Sequence, residues 1–172
     1  MAVSYQLENR GLYFSDNSGN IHLGHQLTID EKLSSPFLIK GILVSSNFSA
    51  SDQLGQQLTC HWNEVSDNKQ KEKRVFHGYI TEIQQIESQS DHNFQHYKIT
   101  LRPWFWLLTL RKNYRVFQQQ SLSDILAAVF DDAGFSGNYV LGTLPSDERN
   151  YCVQYNETDF DFVQRLLAEQ GI

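Results

Sequence analysis

The spacing of apolar residues changes at one segment, Leu101–Leu110, and this change constrains the fold more than any other feature of the chain. Before it, apolar side chains recur at every second position, which is typical of strands with one buried face. After it, they recur at spacings of three and four, which is typical of amphipathic helices. The segment itself is too short to cross a membrane, which needs about 20 apolar residues. The sequence therefore predicts a β-rich part followed by a mixed part.

Pro103 divides this Trp-rich segment into a strand end and a short helix. It biases Arg102 toward extended backbone, whereas a proline in the first turn of a helix is well tolerated. We therefore expect a strand to end near Arg102 and a helix to run from Pro103 to about Leu110. The helical face expected in the core carries Trp104, Leu107 and Leu108. Strand parity likewise predicts that Trp62 is buried.

Several long stretches before the Trp-rich segment read as strands. They lie at 21–29, 37–48, 57–63, 75–87 and 97–102. The first of these ranges predicts one or two short strands, whose apolar residues share one parity. The apolar phase slips between Ile80 and Ile83, which indicates a β-bulge. The polar stretches Ser49–Gln53, Ser66–Arg74 and Ser88–Asn93 are interpreted as loops. Long antiparallel strands with one buried face favour a closed or nearly closed barrel.

The later part predicts a strand over 113–119, a helix, a strand over 151–155 and a second helix. Ser121 with Asp124 three residues on resembles a capping box, and Thr158 has the same position before the second helix. The fold class is thus mainly β (α+β), with an antiparallel tube-like β-barrel and a short Trp-rich helix over 1–115, then an α/β piece over 116–172. The last helix carries an apolar stripe that comprises Phe162, Val163, Leu166 and Leu167.

Composition excludes some classes of protein. The net charge of −6 argues against a nucleic-acid binder, and the basic cluster Lys69–Arg74 is interrupted by Glu72. Cys60 and Cys152 form no C-x-x-C pattern, so free thiols in a reducing compartment are expected. The N-terminus lacks the basic and apolar regions of a signal peptide. Neither a cleaved signal nor stable membrane insertion of this segment is therefore predicted.

No pattern in the sequence indicates catalysis or metal binding. His22 and His25 have metal-like spacing, but residues three apart on a strand face opposite sides; the other histidines are interpreted as surface residues. Asp159 and Asp161 resemble a glycosidase carboxylate pair, yet both fall in a first helical turn, where acids complement the helix dipole. The chain has no G-x-S-x-G elbow, phosphate loop or G-x-G-x-x-G. We predict no enzymatic activity, cofactor or metal.

Two blocks, Leu101–Leu110 and Arg149–Ile172, resemble the N-terminal region of the VgrG (valine-glycine repeat protein G) family of type VI secretion spikes. Shorter matches follow the family's order from about Leu27. The structural signature comprises Arg102, Pro103, Trp104, Trp106, Tyr151, Tyr155, Thr158, Asp159, Phe160, Asp161 and Phe162.

The resemblance implies a structural hub of the puncturing spike that resembles a phage baseplate hub. Its partners would be other VgrG subunits in a trimer, the hexameric tube of haemolysin-coregulated protein, and effectors delivered into target cells. The machine would be assembled in the bacterial cytoplasm and ejected. Residues 1–115 would be the first hub barrel, and 116–172 would begin the next hub subdomain of a longer protein. In such a fragment the apolar stripe of the last helix is expected to have lost its cover. The isolated chain is then expected to be a monomer or loose oligomer, associating through that helix or a free barrel edge.

Three alternatives stay open. The first is a baseplate hub of a contractile-tailed phage, whose fold is similar. The second is a cell-wall hydrolase that uses Asp159 and Asp161 as paired acids. The third is a ligand-binding barrel, which would need an apolar internal cavity.

Overall fold

The computed structural model describes residues 11–65, 71–86 and 94–172. The chain divides into two compact units, Met1–Pro103 and Trp104–Ile172. This division lies before the expected boundary at residue 115, because the Trp-rich segment and the strand that follows it contribute to the second of two apolar cores. Residues 66–70 of one predicted loop and the whole of another, 88–93, fall outside the described residues, as do residues 1–10.

The first unit contains a closed antiparallel barrel, as the alternating pattern predicted. Its strands are β1 Leu12–Asp16, β2 Ile21–Lys32, β3 Ser35–Ser45, β4 Gln57–Val65, β5 Lys71–Ile86 and β6 Gln95–Arg102. Their order around the barrel is β1-β2-β3-β6-β5-β4, and β4 pairs with β1 to close it. Side chains fill the interior, among them Phe14, Ile39, Leu43, Leu58 and Leu101, each 0% exposed.

Two loop predictions in this unit were wrong. The stretch Ser49–Gln53 includes a single helical turn, α1 Ala50–Gln53. The predicted loop Ser66–Arg74 ends early, because Lys71–Arg74 already pair with the end of β4 and extend that ladder. β1 was not predicted, because the first twenty residues carry little periodic signal.

Bulges set which side chains enter the barrel. The predicted bulge in β5 is confirmed as a register shift between Ile80 and Glu82. A second shift, between Gly24 and Gln26, lies within β2, which is one continuous strand. Because an extra residue reverses the faces of a strand, His22 is buried at 2% exposure. Leu27 and Ile29, beyond the bulge, pack against the same barrel core.

The second unit confirms the predicted element order. It contains α2 Trp104–Leu107 with a 3-10 turn Leu108–Leu110, then β7 Lys112–Phe117, α3 Leu122–Asp132, β8 Cys152–Thr158 and α4 Asp159–Ala168. β7 and β8 form a two-stranded antiparallel sheet. Gly134 follows α3 with φ +84°, a left-handed conformation that favours glycine at a helix end. No helix in the described ranges is long and apolar enough to span a membrane.

Two expectations about burial were wrong. Trp62 and Trp104 are half-buried rather than in the core; Trp62 lies four residues beyond the fully buried Leu58, at the rim of a cavity at one end of the barrel. The stripe of α4 is covered within the unit, because Phe162, Val163 and Leu166 are 0% exposed and belong to the core that α3 and Phe117 complete. The expected uncovered helix face is therefore absent from the described structure.

Candidate functional site

The signature residues lie at two junctions between secondary-structure elements. Arg102 ends β6 and Pro103 follows it, while Trp104 and Trp106 lie in α2. The Trp104 ring contacts aromatic rings of its own unit, with centroids 4.9 Å from Phe135 and 5.2 Å from Phe130. Tyr151 precedes β8, Tyr155 and Thr158 lie in it, and the remaining signature residues begin α4: Asp159, Phe160, Asp161 and Phe162.

The β8–α4 junction is held by a side-chain cap. Thr158 is the N-cap of α4, and its Oγ1 accepts a 3.0 Å hydrogen bond from the Asp161 backbone N–H. The same hydroxyl donates to the Asp161 carboxylate at 2.6 Å. Asp161 is exposed, so its role matches the predicted capping. Ser121 and Asp124 form the predicted capping box of α3.

Asp159 has a different environment, which the sequence did not reveal. Its side chain is 0% exposed, and its Oδ1 accepts hydrogen bonds from Arg115 Nη1 at 2.6 Å, Gln154 Nε2 at 2.8 Å and Asn113 Nδ2 at 2.9 Å. Arg111 Nε lies 3.6 Å from Oδ2. Burying a carboxylate removes its hydration, and charged hydrogen bonds from arginine compensate that loss.

A second carboxylate completes what we call the Asp159 cluster: Asp159, Asp132, Arg111, Arg115, Asn113 and Gln154. Arg111 Nη2 donates to Asp132 Oδ2 at 2.8 Å, and Arg115 Nη2 donates to the same oxygen. The hydrogen bond from Arg115 outweighs partial burial and lowers the pKa of Asp132. The two guanidinium groups and two carboxylates balance in charge, and together with Gln154 of β8 they connect β7, β8, α3 and α4.

This geometry contradicts the hydrolase alternative. Asp159 is buried against Arg115, whereas Asp161 is exposed and bound to Thr158, so the two carboxylates do not face a common substrate space. A signal for the cluster did exist. Asn113 and Arg115 share the parity of the buried Phe117 on β7, and polar residues on an inward face require buried partners.

A second buried polar group, the His22 cluster, lies in the barrel and comprises His22, Asp16, Ser45 and Asn47. His22 Nδ1 is 2.9 Å from Ser45 Oγ, and His22 Nε2 is 3.5 Å from Asp16 Oδ2. The order Ser–His–Asp resembles a hydrolase triad. Ser45 is 5% exposed, however, and its hydroxyl donates to Asn47 Oδ1 at 2.8 Å. A substrate carbonyl has no access to this hydroxyl.

One end of the barrel has a cavity of about 670 Å³ lined by Gly11, Leu12, Leu27, Ile29, Glu31, Trp62 and Arg74. Its two charged side chains form an ion pair, in which Arg74 Nη2 lies 2.8 Å from Glu31 Oε2. The Arg74 guanidinium also lies 4.9 Å from the centre of the Phe76 ring. The described residues contain no group of three or more His, Cys, Asp or Glu placed to hold a metal ion.

The outer face of the β7–β8 sheet is apolar and exposed. Tyr114 and Tyr155 face each other across the strands with ring centroids 5.3 Å apart, and they are 65% and 75% exposed. Val116 and Tyr151 extend this surface, which we call the tyrosine face. Clustered exposed apolar side chains of this kind are typical of contact surfaces in protein assemblies.

Two solved proteins share this fold. One is the E. coli c3393 protein, a type VI secretion component with structural similarity to the T4 bacteriophage tail proteins gp27 and gp5; the TM-score is 0.58 at 22% identity, covering 86% of this chain and 42% of that one. The other is a 43 kDa tail protein of prophage MuSo2 from Shewanella oneidensis, with a TM-score of 0.65 at 17% identity, covering 93% of this chain and 50% of that one. The chain therefore shares a fold with these two proteins.

The family is established by sequence. A model described as the phage tail baseplate hub (GPD) matches residues 30–172, and the chain belongs to this family. The type VI secretion system spike protein VgrG1b of Pseudomonas aeruginosa is 38% identical over 144 residues, which cover 83% of this chain and 19% of that protein. The chain thus spans about a fifth of the length of this curated relative.

Proposed function

We propose that this chain is a structural part of a type VI secretion spike, in which it forms part of the hub at the end of the tube. The observation that carries the proposal is the 38% identity to the spike protein VgrG1b over 144 residues. The hub role is supported by the match to the baseplate hub family. In the proposed assembly the barrel is the first hub barrel, and the unit from Trp104 onward begins the next hub subdomain.

The proposed partners are other subunits of the spike trimer, the hexameric tube of haemolysin-coregulated protein, and effectors carried on the spike. The proposed role is mechanical and non-catalytic. Two features support it: the barrel interior is filled by side chains, and the charged groups of the Asp159 cluster bind each other inside one unit. The machine would be assembled inside the cell and would then carry the chain out.

A chimera tests this proposal. The aligned segment of P. aeruginosa VgrG1b is replaced by this chain in a strain whose other spike genes are deleted, and release of the tube protein into the medium is measured. We expect release to be restored. The matched controls are chimeras with Asp159→Ala, expected to fail, and Asp161→Asn, expected to work. A chimera that forms stable trimers but releases no tube protein would refute the secretion role.

The tail-like fold also favours a second candidate, the hub of a contractile-tailed phage, because the prophage tail protein matches with a TM-score of 0.65. In that case the chimera fails in secretion, whereas the same segment placed in a phage hub protein restores infectious particles.

A further inference from the structure

His22 is a titratable side chain inside a barrel whose core is otherwise mainly apolar. It is 2% exposed, and its ring meets the edge of Phe48 at a centroid distance of 5.2 Å. Its two ring nitrogens face the ends of different strands: Nδ1 faces Ser45 at the end of β3, and Nε2 faces Asp16 at the end of β1. The protonation state of this ring therefore affects two strand ends at once.

The hydrogen bonds of Ser45 fix the tautomer of neutral His22. A hydroxyl has one proton to donate, and Ser45 Oγ donates it to Asn47 Oδ1 at 2.8 Å. The same oxygen accepts from the Asn47 backbone N–H at 3.2 Å. Its remaining contact, 2.9 Å from His22 Nδ1, then requires the ring to donate. Neutral His22 therefore carries its proton on Nδ1 and a lone pair on Nε2.

That lone pair is buried and faces an anion. Among the described residues Nε2 makes no hydrogen bond of normal length, and Asp16 Oδ2 lies 3.5 Å away. Burial by itself would raise the pKa of Asp16, but hydrogen bonds from Asn20 and Ser18 outweigh it and lower that pKa, so the carboxylate stays ionised. Asp16 is the charged group facing His22 in the part of the chain that the structure describes; Ser45, Asn47 and Phe48 contribute none.

We propose that His22 is a proton-dependent switch of the turn between β1 and β2. A proton from solvent binds Nε2, and the cationic ring then donates to Asp16 Oδ2. That oxygen already accepts from Asn20 Nδ2 at 2.9 Å, and the protonated ring adds a second donor to it, as a carboxylate oxygen allows. The Asn20 side-chain amide then shares Asp16 Oδ2 with the charged ring and adjusts its hydrogen bond, while the backbone N–H groups of Ser18 and Asn20 keep their bonds to Asp16 Oδ1. Acid thus changes the hydrogen bonding of the turn between β1 and β2.

The direction of the pH response follows from burial. Desolvation lowers the pKa of His22, and the Asp16 carboxylate only partly opposes it. The unfolded chain, with a histidine pKa of about 6.5, takes up the proton first. Stability contributed by neutral His22 is complete above that pH and is lost as the pH falls toward the folded pKa. The switch therefore operates in mildly acidic solution.

Nuclear magnetic resonance of the isotopically labelled 172-residue chain between pH 7.5 and about 4.5 tests the switch. We expect the His22 ring nitrogens to report the Nδ1–H tautomer at neutral pH, with a titration midpoint below about 6.5. The side-chain amide signals of Asn20 should shift with the same midpoint. His22→Gln should abolish the Asn20 shift, whereas His25→Gln, at the exposed bulge, should leave it unchanged.

Three results would overturn the proposal: an Nε2–H tautomer at neutral pH, a His22 midpoint at or above about 6.5, or Asn20 signals that do not follow the His22 titration. If His22→Gln fails to fold, the wild-type titration decides alone. Asp16→Asn then serves as the second variant, since loss of the carboxylate should lower the His22 midpoint further. An unchanged midpoint in Asp16→Asn also counts against the switch.

Discussion

Arg115 Nη1 donates a 2.6 Å hydrogen bond to Oδ1 of Asp159, whose side chain is completely buried. The two residues are 44 positions apart in the chain, so their contact fixes α4 against β7. Arg115 also binds Asp132 at the end of α3. One guanidinium therefore joins three elements of the second unit.

Asp159→Ala is expected to destabilise the second unit by about 3–5 kcal/mol, the range for removing one partner of a buried ion pair. The physical reason is that Arg115, Gln154 and Asn113 all lose the acceptor they share. Urea unfolding followed by tryptophan fluorescence measures this, since Trp104 and Trp106 lie in this unit.

The matched control for Asp159→Ala is Asp161→Asn, which replaces an exposed carboxylate in the same helical turn by a carboxamide. We expect it to lower the free energy of unfolding by less than about 0.5 kcal/mol. Equal losses of stability in the two variants would show that the buried network contributes nothing specific.

Thr158→Ala should cost about 0.5–2 kcal/mol, and Thr158→Asn should be nearly neutral, because asparagine also caps helices well. The reason is the hydrogen bond from the Asp161 N–H to Thr158 Oγ1 at 3.0 Å. Ser121→Ala offers a parallel case at α3, where the cap is reciprocal. Urea midpoints for the three variants decide the matter; identical behaviour of Thr158→Ala and Thr158→Asn would contradict the capping role.

Trp104→Ala should destabilise by about 3 kcal/mol, at the lower end of the range for large core aromatics, because the ring is only half-buried. Its edge-to-face and tilted contacts with Phe130, Phe135 and Tyr139 are lost together. Trp104→Phe is the conservative control and should lose less than half as much. A midpoint analysis that gives less than about 1 kcal/mol for Trp104→Ala would show that this ring does not support the second core.

The fold could be predicted from sequence wherever side-chain spacing changes visibly. The bulge in β5 was found because its apolar phase slips between Ile80 and Ile83. The bulge at His25 was missed because Ile21, Leu23, Leu27 and Ile29 are all odd-numbered. The sequence does not distinguish half-buried aliphatic residues on the outer face of a strand from those on its inner face. The pairing of β2 with β3 is therefore needed to show that the strand changes its inward face at the bulge.

Only part of the Asp159 cluster could be predicted, and the reason differs from that for the bulge in β2. The first-turn position of Asp159 is local information, and the sequence gives it correctly. Its burial depends on Arg115 and Asn113, which the pairing of β7 with β8 brings near it. Local patterns do not specify such distant partners.

Cys60 should react with thiol reagents only when the barrel opens. It is 0% exposed, and burial raises the pKa of its thiol to about 12, so almost no thiolate forms near neutral pH. In a Cys152→Ser background, labelling at pH 8 should be at least tenfold slower in the native chain than in urea. Because the thiol pKa in the unfolded chain is about 8.5, stability should also fall as the pH rises above that value. Native and unfolded labelling rates within a factor of two would contradict this burial.

The isolated chain should be a monomer at micromolar concentration. The β1–β4 pairing closes the barrel, so the described strands leave no free barrel edge, contrary to the expectation from sequence. The α4 stripe is buried as well. The tyrosine face stays exposed, but a few apolar side chains do not offset the several kcal/mol that association costs in rigid-body freedom. Native mass spectrometry measures the oligomeric state directly.

Weak association at higher concentration should use the tyrosine face, so Tyr155→Lys should abolish it and Tyr79→Phe, a change within the barrel unit, should not. A stable hexamer at micromolar concentration, or association that survives Tyr155→Lys, would show that another surface drives assembly.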